Sequence, residues 1–372
     1  MAVSDSKPLI TTVIPTYRRP RLLRRALRSV LAQTYLNFCV CVYDNASGDE
    51  TESVVREFMK YDSRVQYIQR SENMGVLRNF DDAMRRVSTP FFSILSDDDV
   101  VLPCFLELAL GGFTGNPEAA FSATTTLEID AQGRVRDAHL LHWLPGVYPP
   151  PEGALAMLEH GQPSLPGVLF RREVLDEVGY LDETIGNPWD WDLELRIAAR
   201  FPIVVCREPG ALFSIHAQSI SSYERVDDIF PAWVRLLQKL RKNQDIPPGP
   251  RSRAAQLLHH RIQERLYRGA WRDIAHREWS EAEKAIAVLN DHFNLGRKVG
   301  VLRTVARRCR RLPPLRLGLL ALFNLRRSFK ELRGRKRQAE FAYYSKFLYH
   351  DKKPQHTPEQ AATFRKTLSG RD

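Results

Sequence analysis

The sequence contains no uncharged apolar run approaching the ~18 residues that a membrane-spanning helix needs. Its first residues, MAVSDSKPLITTVIP, lack the basic flank and long apolar stretch of a secretory leader, so neither a leader nor an integral membrane anchor is expected. Cysteine is scarce and odd in number: five residues (Cys39, Cys41, Cys104, Cys206, Cys309) with no C-x-x-C spacing. That pattern argues against a disulfide framework or a thiolate metal site and reads as small buried hydrophobes in a reducing cytoplasm. No G-x-G-x-x-G follows a strand, and neither G-x-x-x-x-G-K-[ST] nor G-x-S-x-G occurs, which counts against dinucleotide-dependent dehydrogenases, P-loop enzymes and serine hydrolases. Internal repeats and low-complexity segments are absent too.

What is present is a globular composition, 43% hydrophobic and 27% charged over 372 residues, with a net charge of +11. The charge is divided unequally. Residues 1–225 hold 22 Lys/Arg against 30 Asp/Glu, whereas residues 226–372 hold 33 against 14. The length suits one large domain with an appendage. Residues 1–225 are expected to form an α/β domain, 226–295 a helical extension and 296–372 a basic amphipathic helical tail.

Within the first hundred residues, short β-rich runs alternate with helical periodicity. Strands are expected at Leu9–Pro15, Phe38–Asp44, Val65–Gln69 and Phe91–Ser96, with helices at Arg21–Leu31, Glu50–Lys60 and Val76–Val87. Such alternation predicts a mostly parallel sheet flanked by helices, with ligands gathered beyond the carboxyl ends of its strands. Further on, a strand is expected at Ala120–Ile129, and helices at Glu152–His160, Arg171–Val178 and Trp191–Phe201. Ile203–Cys206 and Ala211–Ile215 read as two short strands. From about residue 226 the chain reads as nearly all helical, broken at Pro247-Pro248-Gly249-Pro250 and at Pro313-Pro314.

Three strand ends carry suggestive residues: Pro15-Thr16-Tyr17-Arg18-Arg19-Pro20, Asp44-Asn45-Ala46-Ser47-Gly48-Asp49 and Asp97-Asp98-Asp99. Adjacent carboxylates repel, and a hard divalent cation relieves that repulsion; the alternative is a helix N-terminus capped by acids. Asp44 is suited to accept from a base N–H or a ribose hydroxyl, or else it belongs to an ordinary Asx turn. Asp190 and Asp192 enter a helix after Gly186-Asn187-Pro188. One of them can cap that helix and the other can serve as a general base. Trp189 and Trp191 suit either a sugar-stacking pocket or the core, and His216 reads either as a satisfied polar residue or as a ligand.

In order and spacing, these segments resemble family 2 inverting glycosyltransferases of the GT-A fold. Thr11–Pro20 is similar to V-x-x-I-P-T-Y-N-R, Ala26–Tyr35 to S-[VL]-x-x-Q-T-Y, and Val42–Asp49 to V-D-[DN]-[GA]-S-x-D. Glu72–Gly75 with Arg78-Asn79 resembles N-x-G…R-N, and Ser96–Asp99 stands where a D-x-D metal motif belongs. The likeness covers roughly residues 9–222. It implies transfer of a sugar from a nucleotide-diphosphate donor, a UDP- or TDP-sugar, to a saccharide or lipid-linked hydroxyl acceptor.

By the same resemblance, Asp44, with Asn45 and the Pro15–Arg18 loop (Pro15, Thr16, Tyr17, Arg18), contacts the nucleobase, Arg78 holds the nucleotide and Asp97 lies near the ribose. Asp98 binds Mn²⁺ or Mg²⁺, with His216 a further candidate, and Asp190 is the base with Asp192 as fallback. Ser96 replaces the first acid of D-x-D and Trp189 the usual Glu before the base, which loosens the register there. Two rivals stand beside this reading. One is a degenerate transferase acting as a scaffold; the other is a sugar nucleotidyltransferase, which the missing glycine-rich loop after strand one disfavours.

The tail has its own pattern. Residues 296–337 hold 15 Lys/Arg against Glu331 alone, around an apolar stretch at Leu315–Leu325. This suits docking at an anionic membrane surface, on the inner face of the plasma membrane; packing on protein is the alternative. No nucleic-acid-binding motif accompanies it.

Overall fold

The computed structural model describes residues 7–215 and 225–322, with Asn324, Leu325, Ala339, Phe341, Tyr344 and Phe347 beyond them. In chain order the elements begin with β1 (Ile10–Thr16), α1 (Pro20–Leu31), β2 (Phe38–Asp44), α2 (Thr51–Met59), β3 (Val65–Gln69), α3 (Val76–Arg85) and β4 (Phe91–Ile94). Next come β5 (Val100–Val101), α4 (Phe105–Gly111), β6 (Phe121–Ile129), β7 (Val135–Ala138), β8 (Gly146–Tyr148), α5 (Glu152–His160), β9 (Val168–Arg171) and α6 (Val174–Val178). The last are α7 (Trp189–Arg200), β10 (Ile203–Ser214), α8 (Val226–Lys242), α9 (Pro248–His276), α10 (Trp279–Asp291), α11 (Gly296–Arg311) and a helix α12 over 313–322.

One sheet runs β3-β2-β1-β4-β9-β6-β10-β5, with β7 beside β6 and β8 beside β10. Its first four strands are mutually parallel, so the carboxyl ends of β1, β2 and β4 open on one edge. Thr16 and Asp44 are register partners at that edge. Every residue of β1 and β2 is buried, as expected of parallel strands covered on both faces. On β2, Phe38, Val40 and Val42 join the core under α1, while Cys39, Cys41 and Tyr43 join the opposite one, the two-residue alternation of a strand.

Two local expectations change. The two short strands expected at Ile203–Cys206 and Ala211–Ile215 are one, β10 (Ile203–Ser214), paired along β6 with register shifts at Val205/Pro209 and Pro209/Ala211. Irregular pairing of this kind interrupts the apolar pattern and makes one strand resemble two. Gly210 sits in that irregular stretch because a Cβ there would lie 2.1 Å from the Thr124 hydroxyl. The helix expected from Arg171 begins only at Val174, because Val168–Arg171 pairs with both β4 and β6. Four residues are too few for periodicity to show this.

The C-terminal helices share a core with one face of the sheet. A continuous apolar cluster extends from Val13 and Phe92 through Leu193 and Trp233 to Ile262, Leu289 and Leu302. The prolines at 248 and 250 open α9, where a missing N–H costs nothing, and Pro313-Pro314 opens α12 in the same way. Further along, Phe341, Tyr344 and Phe347 pack on Val100, Leu102, Leu127, Ile129 and Leu212, beneath the Asp97–Asp99 turn.

Candidate active site

Asp44 ends β2 almost wholly buried, and its carboxylate is fully engaged. Oδ1 accepts from the Ser47 backbone N–H at 3.0 Å and from the Ser47 hydroxyl; Oδ2 accepts from Tyr67 at 2.6 Å. Burial, then the bond donated to Asp44, holds the Tyr67 phenol above its ordinary range. The loop is tied to its neighbours on both sides. The Arg18 backbone N–H donates to the Ser47 hydroxyl (2.9 Å) and its Nε to the Ser47 carbonyl (3.0 Å), which fixes Arg18 at a positive φ of 54°. Asn45 donates to Asn73 (2.9 Å) and accepts from the Met74 N–H (2.9 Å), joining β2 to the turn that starts α3.

Asp97 and Asp98 follow β4 beside this loop. Thr16 donates to Asp97 at 2.7 Å, and one Arg19 nitrogen reaches both Asp97 (3.1 Å) and Asp98 (3.0 Å). A cationic side chain between two carboxylates shows the electrostatic demand of the place. Burial pushes the Asp97 carboxyl up to about 6, against the pull of Thr16 and Arg19. Asp99 faces the other way. Its Oδ1 accepts from the Ser214 N–H at 2.8 Å, clamping the turn to the end of β10. Its burial, then the charge of Asp98, raises it well above the usual carboxylate range. Tyr17 and Arg18 remain exposed at the rim, Arg18 over the Tyr17 ring at 5.1 Å, and Pro15 is buried.

The start of α7 lies against α3, with Trp189 packed on Phe80 at 5.2 Å between ring centroids. Arg78, also on α3, pairs with Glu183 at 3.0 Å on the surface. Asp190 is half-buried. Its Oδ2 accepts from Gln162 at 2.6 Å and its Oδ1 from the Trp191 N–H at 2.9 Å, and desolvation raises its carboxyl. Asp192 is deeply buried between Arg196 and Lys239, each at 2.9 Å. Trp191 turns to the C-terminal helices, edge-on to Trp233 at 5.7 Å with Arg261 over its ring. His216 lies outside the described residues.

Three participants were not singled out from sequence. Arg19 stood beside Arg18 in the same basic pair, where spacing alone does not separate an exposed rim residue from one turned inward. Gln162 holds Asp190 from a loop one hundred and more residues away from Asp44. Glu194 is the least expected: it is fully buried one helical turn after Asp190, with neither carboxylate oxygen hydrogen-bonded. Burial, then the neighbouring Asp190 charge, holds it well above the ordinary range. The i, i+4 spacing was its one sequence signal.

Among the described residues, no cluster of three or more His, Cys, Asp or Glu side chains is arranged to hold a metal. The carboxylate oxygens of Asp97 and Asp98 are nevertheless hard donors of the type Mg²⁺ or Mn²⁺ takes, and such cations complete their shells with substrate phosphates and water. The pair fits a partial shell of that kind.

Comparison with known proteins agrees with the geometry. The Glycosyl transferase family 2 profile matches residues 11–179. An uncharacterized glycosyltransferase of Methanocaldococcus jannaschii is 25% identical over 195 residues, 52% of this chain and 66% of that protein. Among solved structures, S. aureus TarS (residues 1–349) in complex with UDP-GlcNAc superposes with a TM-score of 0.59 at 16% identity, covering 84% of this chain and 89% of that one. The mannosyltransferase PcManGT of Pyrobaculum calidifontis, in complex with GDP-Man and Mn²⁺, gives 0.52 at 16% identity, covering 86% and 88%. The fold is the GT-A fold, and residues 11–179 carry the similarity to glycosyltransferase family 2.

Proposed function

We propose that this protein transfers a sugar from a nucleotide-diphosphate donor to a hydroxyl of a saccharide or lipid-linked acceptor, in one displacement that inverts the anomeric carbon. The observation that carries this reading is the convergence of Asp44, Asp97 and Asp98 on the edge where β1, β2 and β4 end. Ligands of open α/β sheets bind at such an edge. Asp44, held by Ser47 and Tyr67, presents a fixed acceptor surface for the nucleobase, with Asn45 and the Pro15–Arg18 loop around it. UDP- or TDP-sugars are the expected donors.

Asp98, with Asp97 beside it, would hold Mn²⁺ or Mg²⁺, a cation whose charge offsets that of the departing diphosphate. Asp190 is the assigned base. Its fixed orientation and raised carboxyl favour taking a proton over staying ionised in isolation. Asp190 takes the acceptor's hydroxyl proton as that oxygen bonds to the anomeric carbon. The carbon–oxygen bond to the diphosphate breaks and its electron pair leaves with the phosphate. Asp192, already occupied by Arg196 and Lys239, is better suited to fastening α7 to α8. Residues 1–225 supply the catalytic part and 226–295 its supporting helices. The expected setting is the cytoplasmic face of a membrane, where a lipid-linked acceptor is met.

The test is Asp190→Asn, which preserves size; with its oxygen kept on the Trp191 N–H, its amide nitrogen can donate to the Gln162 Oε1 once that side-chain amide turns over. It should bind nucleotide as the wild type does while losing transfer, and the wild-type product should carry the inverted anomer by NMR. Full turnover in the variant, or a retained anomer, overturns the assignment.

A further inference from the structure

We infer that residues 296–322, with Asn324 and Leu325, form a docking surface for an anionic lipid bilayer, which deepens the proposed function and rests on its membrane-side acceptor for its purpose, though not for its physics. The surface has two adjoining parts. On α11, Val299, Leu302 and Cys309 face inward while Arg303, Arg307, Arg308 and Arg311 are exposed. A groove of about 180 Å³ between α10 and α11 is lined by Trp279, Glu283, Arg303, Arg307 and Arg310; Arg310 pairs with Glu283 at 2.9 Å, so the net positive charge of the recess comes from Arg303 and Arg307. Beside it, α12 and the residues flanking it present apolar side chains to solvent: Leu315, Leu317 and Leu322 on the helix and Leu312 and Leu325 at its two sides are between 48% and 59% exposed.

A helix apolar on nearly every side is ordinarily buried in a core or in lipid. Here only Leu319 of the described α12 residues joins the protein core. The single charge between 313 and 325, Arg316, turns inward, its Nη1 donating to the Ala275 carbonyl at 3.1 Å. The outward face of α12 therefore carries no charge, and it is fastened to α9 by that bond. Farther along the chain, Phe341 and Tyr344 pack beneath the Asp97–Asp99 turn of the catalytic part, so the helix is displayed from a scaffold anchored on both sides of it.

Charge selects the occupant. Between 296 and 325 there are eight Lys/Arg and no acid. A second copy would bring two arginine-dense faces together, whereas an anionic bilayer offers negative headgroups to the arginines and an acyl boundary to the leucines. No helix of the described residues is long and apolar enough to cross a membrane, so the contact is interfacial.

The experiment is flotation of the full-length protein with vesicles of phosphatidylcholine alone or mixed with phosphatidylglycerol, across a salt series. Binding is expected only with the anionic vesicles and should weaken as salt rises. Leu315→Asp with Leu322→Asp should lower partition at least about tenfold. Arg307→Glu or Arg311→Glu should each lower it about fivefold or more. All four positions are exposed, so thermal midpoints and transfer to a water-soluble acceptor should be unchanged. Asp190→Asn must still float, which separates failure of this inference from failure of the catalytic assignment. Absence of binding to anionic vesicles, equal binding to neutral ones, or a concentration-dependent dimer abolished by Leu322→Asp would each overturn it.

Discussion

The two halves of this molecule use charge in opposite ways. In the first 225 residues, acids exceed bases by eight, and the important acids are buried and individually held: Asp44 by Ser47 and Tyr67, Asp97 by Thr16 and Arg19, Asp99 by Ser214. In the last 147 residues, bases exceed acids by 19, and on α11 most of them point to solvent. Buried charge demands a partner and a fixed geometry, whereas exposed charge is screened and acts by sign and number. The first arrangement suits recognition of one small molecule, the second attraction to an extended surface.

The largest expected effect tests the fixed half. Asp190→Asn should reduce transfer about 10²- to 10⁴-fold, the range of a lost general base, with donor affinity retained. Asp98→Ala should abolish the metal-dependent part of the thermal shift given by a nucleoside diphosphate. For wild type at 100-fold excess over Kd that stabilisation is about 2.7 kcal/mol. A variant of the basic half, such as Arg311→Glu, should leave both readouts alone, and any effect of it on donor binding would blur the division.

Glu194 sharpens the contrast, being the one buried acid in the fixed half without a partner among the described residues. Glu194→Leu removes a costly group and should raise stability by about 1–3 kcal/mol near neutral pH. The sign follows from its raised carboxyl. Below the ordinary Glu range both folded and unfolded chains hold the proton. As pH rises above it the unfolded chain releases the proton first, so wild-type stability falls. The variant's advantage in chemical denaturation should therefore grow from pH 4 to pH 8, taking the ordinary Glu value of about 4.3 as the start. A constant difference would mean that Glu194 ionises normally.

Of similar size, Gly210→Ala should destabilise by about 1–3 kcal/mol through overpacking against Thr124. Arg78→Ala should cost less than about 1 kcal/mol of stability, since its pair with Glu183 is exposed. Any larger change in nucleotide affinity on that substitution would then report contact with the donor and not loss of the ion pair.

Much of the fixed half was readable in advance, because parallel strands buried on both faces are continuous apolar runs and their ends are marked by Asp, Asn and Gly. The strand boundaries at Phe38–Asp44 follow directly from that. The antiparallel inserts were less visible: β9 is four residues long, and the irregular pairing of β10 disguises one strand as two. In the site, Asp44, Asp97 and Asp190 could be named because each stands at an element's end. Gln162 and Glu194 could not, since their importance comes from what faces them across the fold.

By itself the sequence determined the alternation of strand and helix, the edge where carboxylates gather, the family likeness and the reversal of charge near residue 226, because these depend on local pattern and composition. Tertiary structure alone decided which of two neighbouring acids is enclosed by cations, as Asp192 is, and which is held by an amide, as Asp190 is. It also decided that the arginine of α12 turns inward while Leu315, Leu317 and Leu322 face out. Partners distant in the chain set those outcomes, and no local pattern encodes them.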